Sequence, residues 1–400
     1  MDAIIFTMGT RGDVQPYIFL AQALKEHGHR VTIGTHPCWK ELVEESGTAF
    51  VPVGPEVDME YEAARIRGQA KNPALSMLKT MQFVFKMIEG ASGEILEQCR
   101  GRDLVIVSHS LMGATEAEVL GVKTVNVVLQ TQMIPQVKRK KRLKDKIASA
   151  LIDPQMVRPY NKVRVKYGLP KLKSMDQVMS GSVTLIPISR HVATGSPDWS
   201  DKNKLVGYWY QEAPEAQLPE ELQSFLSAGE PPVLLALGAM AFETGEERDK
   251  LELFVRALEQ TGHRALIQGF NKTLGNYPLP PTMLRVGAVP HGALFPRCRA
   301  VIHHCGFGTA AMAMACGIPS VPVPHVLDQM GFAQDLYRLG VGTKPVPAAK
   351  LSVEAIAAAL RELDANYEAL RAKAVKLAVD IRAENGLETA VALIEAAQKE

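Results

Sequence analysis

One order of features occurs twice in this chain, and it restricts the fold more than any single motif. Near the N-terminus the apolar run Ala3 to Met8 ends in Gly9-Thr10-Arg11-Gly12-Asp13. Residues Val14 to His27 then have helical spacing, and Gly28-His29-Arg30 leads into the apolar run Val31 to Thr35. In the second half Val233 to Leu237 ends in Gly238-Ala239-Met240, a helical stretch follows, and Gly262-His263-Arg264 leads into Ala265 to Gly269. A short continuous apolar run suits a strand buried on both faces. Strand, glycine turn, helix and strand in succession make the βαβ unit of a parallel sheet. Two such openings in 400 residues, of which 46% are hydrophobic and 22% charged, predict an α/β protein with two Rossmann-like, doubly wound domains.

Further strands are predicted at Asp103 to Val107, Lys123 to Leu129 and Val183 to Ile188. The Pro- and Glu-rich stretch Gln211 to Leu222 reads as a connector, so the expected domains are residues 1–210 and 223–380 with a linker at 211–222. Val353 to Glu400 is rich in Ala, Leu, Glu and Lys and predicts consecutive helices, the last of which, residues 381–400, is expected to cross back to the first domain. Leu75, Met77, Leu78, Met81, Phe83, Phe85, Met87 and Ile88 are too many apolar residues for one narrow helical stripe. They suit either an apolar pocket, with Met81 and Phe85 in its wall, or a core helix.

A formal net charge of +2 supplies no global basic excess for nucleic acid. Five cysteines without a C-x-x-C pair argue against a disulfide framework and a structural zinc site, and point to a reducing, cytoplasmic compartment. No basic leader precedes Ala3, and no apolar stretch reaches about 18 residues. The basic run Lys138 to Lys146 is compatible with a solvated helix face or with weak, peripheral contact to an anionic membrane.

Chemistry is concentrated between Ala300 and Met330. Ala300 to Ile302 predicts a strand, Gly306-Phe307-Gly308 a turn, Thr309 the opening of a small-residue helix, Gly317 and Pro319 its stop, and Val321 to Val323 the next strand. A glycine turn at a helix N-terminus offers unpaired N–H groups and the positive end of the helix dipole, which suits a phosphate. His303, His304 and Thr309 add donors. The loop after the second strand returns to the same sheet edge, so His325, Asp328 and Gln329 are expected to face the same ligand, and an Asp-Gln pair suits sugar hydroxyls. On these residues alone a dinucleotide enzyme stays open, because Gly306 to Ala311 also fits G-x-G-x-x-A with Asp328 as a ribose acid.

The whole string, HHCGFGT followed by DQ, together with Gly9 to Tyr17 (GTRGDVQPY), Val206 to Trp209 (VGYW) and Val289 to His291 (VPH), resembles the GT-B glycosyltransferases. The likeness is to the family-one nucleotide-sugar enzymes that include sterol, macrolide and glycopeptide glycosyltransferases of bacteria and fungi. It implies two Rossmann-like domains facing a central cleft, with C-terminal helices packing back on the N-terminal domain. It further implies that Gly238, Val289, His291, His304, Gly306, Gly308 and Thr309 hold a nucleotide diphosphate and that Asp328 and Gln329 hold its sugar. Asp13 stands where plant relatives carry a histidine and is the candidate general base, with an N-cap as its other role. Arg11, His109, Met81 and Phe85 are acceptor-side candidates. Gln329 and Asp328 could instead cap a helix starting at Met330.

The chain has no D-x-D pair for a divalent metal, so no metal and no cofactor are expected. Ala239, Ala288 and Met312 depart from residues that relatives use on phosphate, base and ribose. UDP-glucose is the first donor expected, with another UDP-hexose or a dTDP-sugar behind it. The expected activity is inverting, metal-independent transfer of a hexose to a hydroxyl of a hydrophobic acceptor such as a sterol, flavonoid or polyketide, by a monomer. The alternatives are a non-catalytic nucleotide-sugar or lipid-binding module and a dinucleotide-dependent oxidoreductase.

Overall fold

Among the described residues two all-parallel sheets organise the chain, seven strands in the first and five in the second. The computed structural model describes every residue except 69–72, 139–155, 175, 176, 178, 180, 213–215, 239–246, 272 and 400. It divides into two compact units. One comprises Met1–Glu62, Ala74–Trp209 and Glu384–Glu400, and the other Ala63–Pro73 and Tyr210–Ala383.

In the first unit the chain runs β1 (Asp2–Phe6), α1 (Arg11–Glu26), β2 (Arg30–Thr35), α2 (Lys40–Glu45), β3 (Ala49–Pro52), the start of α3 (Met59–Gly68, counted with the second unit from Ala63), α4 (Pro73–Cys99), β4 (Leu104–Val107), α5 (Ala114–Leu120) and β5 (Lys123–Val127). A helix α6 over residues 156–166, β6 (Val183–Ile186) and β7 (Asn203–Leu205) complete the sheet region. The strand order is β3-β2-β1-β4-β5-β6-β7, with Ala3 of β1 beside both Val31 and Leu104. The order reverses direction between β1 and β4. In an open parallel sheet that is where helices depart to opposite faces and leave a crevice at the carboxyl ends of the strands. Of the apolar residues of α4, Met87 and Ile88 are buried with Ile4, Phe6 and Val105, and Phe83, Val84 and Phe85 pack against that cluster, whereas the side chains of Leu75, Met77, Leu78 and Met81 lie outside the described residues.

The second unit contains α7 (Glu220–Ser227), β8 (Val233–Ala236), α8 (Glu247–Gln260), β9 (Ala265–Gln268), β10 (Met283–Val286), α9 (His291–Leu294), β11 (Ala300–His303), α10 (Phe307–Ala315), β12 (Ser320–Pro322), α11 (Leu327–Leu339), α12 (Val353–Ala365) and α13 (Tyr367–Arg382). Its order, β10-β9-β8-β11-β12, repeats the reversal between β8 and β11. The connector expected to reach Leu222 stops at Pro219, because Glu220 and Glu221 sit favourably at the positive end of α7. The last helix, α14 (Gly386–Lys399), packs on α1, β5 and β6 of the first unit. There His29 bonds Glu395 at 2.9 Å and the Trp209 indole donates to the Gly386 carbonyl at 3.3 Å.

Each unit holds one fully buried imidazole. Burial lowers His36, after β2, to about 4. Burial, then the neighbouring His304 and His291, lowers His303 of β11 to about 3. A histidine whose folded pKa lies below its unfolded value of about 6.5 is neutral in the fold. Its stability contribution is therefore complete above that value and drains as pH falls through 5 toward 4 or 3. We predict that each unit loses about 2 kcal/mol between pH 7.5 and pH 5 from this source alone. Urea midpoints that stay flat over that interval would contradict it.

Candidate active site

The two crevices named by the strand order are where the predicted residues gather. In the second unit Gly238 follows β8 and His304 follows β11, so they flank the reversal from its two sides. The His304 imidazole lies against both loops: a Cβ on Gly238 would come within 3.0 Å of its Cε1, and a Cβ on Gly306 would collide with its Nε2. Gly306 is the N-cap of α10, and the helix opens at Phe307, two residues before the Thr309 expected from sequence. Gly308 and Thr309 therefore stand inside the first turn. The first N–H donating back along the helix is that of Ala310, to the Gly306 carbonyl, so those of Phe307, Gly308 and Thr309 point out of the helix end. Gly308 is exposed, and a Cβ there would enter open space. The result is a cradle of backbone donors beside an imidazole, at the positive end of a helix and with no carboxylate among the residues forming it.

His303 faces inward. Its Nδ1 accepts the Cys305 N–H at 3.2 Å, with Cys305 held at φ 63°, so it shapes the turn from beneath. His291 opens α9, bonds Gln268 Oε1 through Nε2 at 2.9 Å and stacks on Phe295 with 4.5 Å between ring centres. Gln268 Nε2 in turn donates to the Gly287 carbonyl at 2.9 Å, a pairing that identifies Oε1 as the acceptor and His291 Nε2 as the protonated nitrogen. Val289 is half-buried in the same loop, packed on the core cluster beneath.

After β12, α11 begins at Leu327 and not at Met330, which changes the role of the Asp-Gln pair. Gln329 Oε1 accepts the N–H groups of His325 at 2.8 Å and Val326 at 3.3 Å, capping the helix from within its first turn. Its amide is thereby oriented. Asp328 is half-buried one residue earlier. His325 Nδ1 pairs with the Val323 carbonyl at 2.8 Å, so its Nε2 is the acceptor for Lys250 Nζ at 3.5 Å. Lys250 comes from the first turn of α8, on the far side of β11, and no sequence signal marked it.

In the first unit Asp13 follows β1 and His109 follows β4, so they flank the corresponding reversal. Helix α1 starts at Arg11, which places Asp13 in its first turn. Its Oδ2 accepts both the Thr10 N–H at 2.9 Å and the Thr10 hydroxyl at 3.0 Å. The N-cap of α1 is Thr10, not Asp13; Asp13, at the third helical position, is the acidic partner of a capping box, and that role occupies one oxygen. Among the described residues Oδ1 has no partner. Beneath it lies the fully buried Tyr17, whose phenol is pushed well up by burial and then by the Asp13 charge. Tyr17 is consequently a donor, toward the Val127 carbonyl at 3.4 Å, and not a competing base.

The His109 ring is half-buried, with Nδ1 lacking a hydrogen bond among the described residues. Arg11 is exposed and bonds Gln15 at 3.3 Å. Phe85 meets Tyr160 edge to face at 5.0 Å and lines a shallow depression with Ile88, Leu111 and Thr115, away from Asp13 in sequence but next to the loop after β4. The Met81 side chain lies outside the described residues, as does the basic run from 139 onward; Lys138 itself pairs with Asp201 at 2.6 Å. Among the described residues no helix is long and apolar enough to cross a membrane, and no three His, Cys, Asp or Glu side chains converge as a metal site.

Residues 3–115 match the glycosyltransferase family 28 N-terminal domain, and residues 267–395 match the C-terminal domain of the erythromycin biosynthesis protein CIII-like family. An O-mycaminosyltylonolide 6-deoxyallosyltransferase of Streptomyces fradiae is 30% identical over 99% of this chain and 97% of its own length. A sterol 3-beta-glucosyltransferase of Arabidopsis thaliana is 28% identical over 97% of this chain, which spans 66% of that relative. Among solved structures, glycosyltransferase VinC in complex with dTDP superposes over the full length of both chains with a TM-score of 0.75 at 21% identity. The glycotransferase of kitacinnamycin covers 99% of this chain and 98% of its own at a TM-score of 0.74 and 19% identity. These two likenesses establish the fold, GT-B.

Proposed function

The chain belongs to the glycosyltransferase family that contains the macrolide deoxyallosyltransferase and the sterol glucosyltransferases, and from that premise we propose that it transfers a hexose from a nucleoside diphosphate to a hydroxyl of a hydrophobic acceptor, with inversion and without a metal. Membership makes it a glycosyltransferase and removes the oxidoreductase alternative. The observation that carries the finer reading is the cradle formed by His304, Gly306, Gly308 and Thr309 at the start of α10. Negative charge grows on the departing diphosphate as the glycosidic bond breaks, and donors already aimed at it lower the barrier without reorganisation. The helix end and the His304 ring perform the neutralising work that a divalent cation does elsewhere.

Inversion needs one base and one stabilised leaving group. Asp13 Oδ1 is the proton acceptor for the attacking hydroxyl, and no second carboxylate is called on as a nucleophile. Asp328 and the oriented Gln329 amide bind sugar hydroxyls. UDP-glucose is the first donor; a dTDP-hexose is the second, favoured by the thymidine diphosphate bound in the solved structures of VinC and SsfS6.

The test is incubation with UDP-glucose or dTDP-glucose and a panel of sterols, flavonoids and macrolide aglycones, with products read by mass spectrometry and anomeric configuration by NMR. A β-linked hexoside from an α-configured donor, formed equally well with and without chelator, is the expected result. Activity abolished by chelator and restored by magnesium or manganese would overturn metal independence, and an α-linked product would overturn inversion.

A further inference from the structure

The turn that carries Asp13 is held from a third strand. Gly9 sits at φ 137°, and a Cβ there would collide with Asp13 Oδ2, so the carboxylate lies directly against the Gly9 backbone. The Gly9 carbonyl accepts a hydrogen bond from the Trp39 indole N–H at 3.0 Å. Trp39 closes a single helical turn, Pro37–Trp39, that follows β2, the strand hydrogen-bonded to β1. That turn has little freedom: Pro37 fixes its first residue, and the preceding His36 is 1% exposed, its ring packed beside Gly54 after β3. Trp39 itself is half-buried.

We infer that Trp39 is a positioning residue for the transfer reaction, fixing the Gly9 to Asp13 turn so that Oδ2 stays engaged by Thr10 and Oδ1 is presented to the acceptor hydroxyl. Indole supplies one N–H on a rigid plane with two torsions, so the bond orders the turn at small entropic cost. The proposal rests on Asp13 acting as base, and its role is indirect: Trp39 removes no proton and need not touch the acceptor.

Trp39→Phe keeps an aromatic ring and most of the apolar volume while removing the N–H. The expected result is a fall in kcat of about 10- to 100-fold, the scale of a small misplacement of a reacting group, with the KM for the nucleotide sugar unchanged and the melting midpoint retained. In an Asp13→Asn background the same substitution is expected to cost little more, because a residue acting through another cannot lose its effect twice. An unchanged kcat in Trp39→Phe, with Asp13→Asn impaired, overturns the positioning role and leaves the base intact. An equal extra loss in the double variant also overturns it, since the effect would then not pass through Asp13. An unimpaired Asp13→Asn overturns the base and Trp39 with it. If Trp39→Phe does not fold, the same single and double comparisons are made with Trp39→Leu, which also lacks the N–H, and are read by the same outcomes.

Discussion

Asp13→Asn is expected to lower turnover by about 10² to 10⁴ while leaving nucleotide-sugar affinity nearly unchanged. The substitution is selective because Asn keeps an oxygen able to accept the two Thr10 bonds that cap α1, so helix and fold persist. What it removes is the proton-accepting capacity of Oδ1, which among the described residues is engaged by nothing else. Kinetics with saturating donor, together with calorimetric binding of the nucleotide, separate the two roles. A full rate in Asp13→Asn would reduce Asp13 to a cap. A loss of rate accompanied by a large drop in melting midpoint would show that the cap, not the base, had been removed.

The second large effect is expected at Gly306. Its φ of −62° is open to any residue, so Gly306→Ala strains no backbone angle, yet the new methyl must displace the His304 ring. Removing one preorganised donor from a developing anion typically costs about 10² to 10³ in rate, and a loss of that order in kcat/KM is predicted. Gly308→Ala is the matched comparison. Its Cβ enters open space in the protein, so stability is retained or slightly improved, as for alanine replacing an exposed helical glycine. The same methyl occupies the volume a diphosphate would fill, so donor KM rises although the fold is sound. Full activity in both variants would remove the diphosphate from this cradle.

Most of the architecture was legible because strand and helix periods, glycine turns and apolar runs are local properties. The two Gly-His-Arg junctions at Gly28 and Gly262 mark equivalent points of two parallel sheets, and the three C-terminal helices follow from composition. Element ends were less legible. Helix α10 begins at Phe307 and α11 at Leu327, because where a helix starts depends on which group caps it, and the caps are a backbone angle at Gly306 and the amide of Gln329 four residues after His325.

By itself the sequence determined the residue types at the ends of β1, β8, β11 and β12, and with them an anion cradle and a carboxylate. The tertiary structure decided how those groups are held. Asp13 has one capped oxygen and one open, His304 is wedged between two glycines, His303 turns inward as a neutral support, and Trp39 and Lys250 arrive from neighbouring elements that no motif connected to the site. The reason is physical: residue identity is written locally, whereas a hydrogen bond between Trp39 and Gly9, or between Lys250 and His325, exists only once strand order has brought distant parts of the chain to one edge of a sheet.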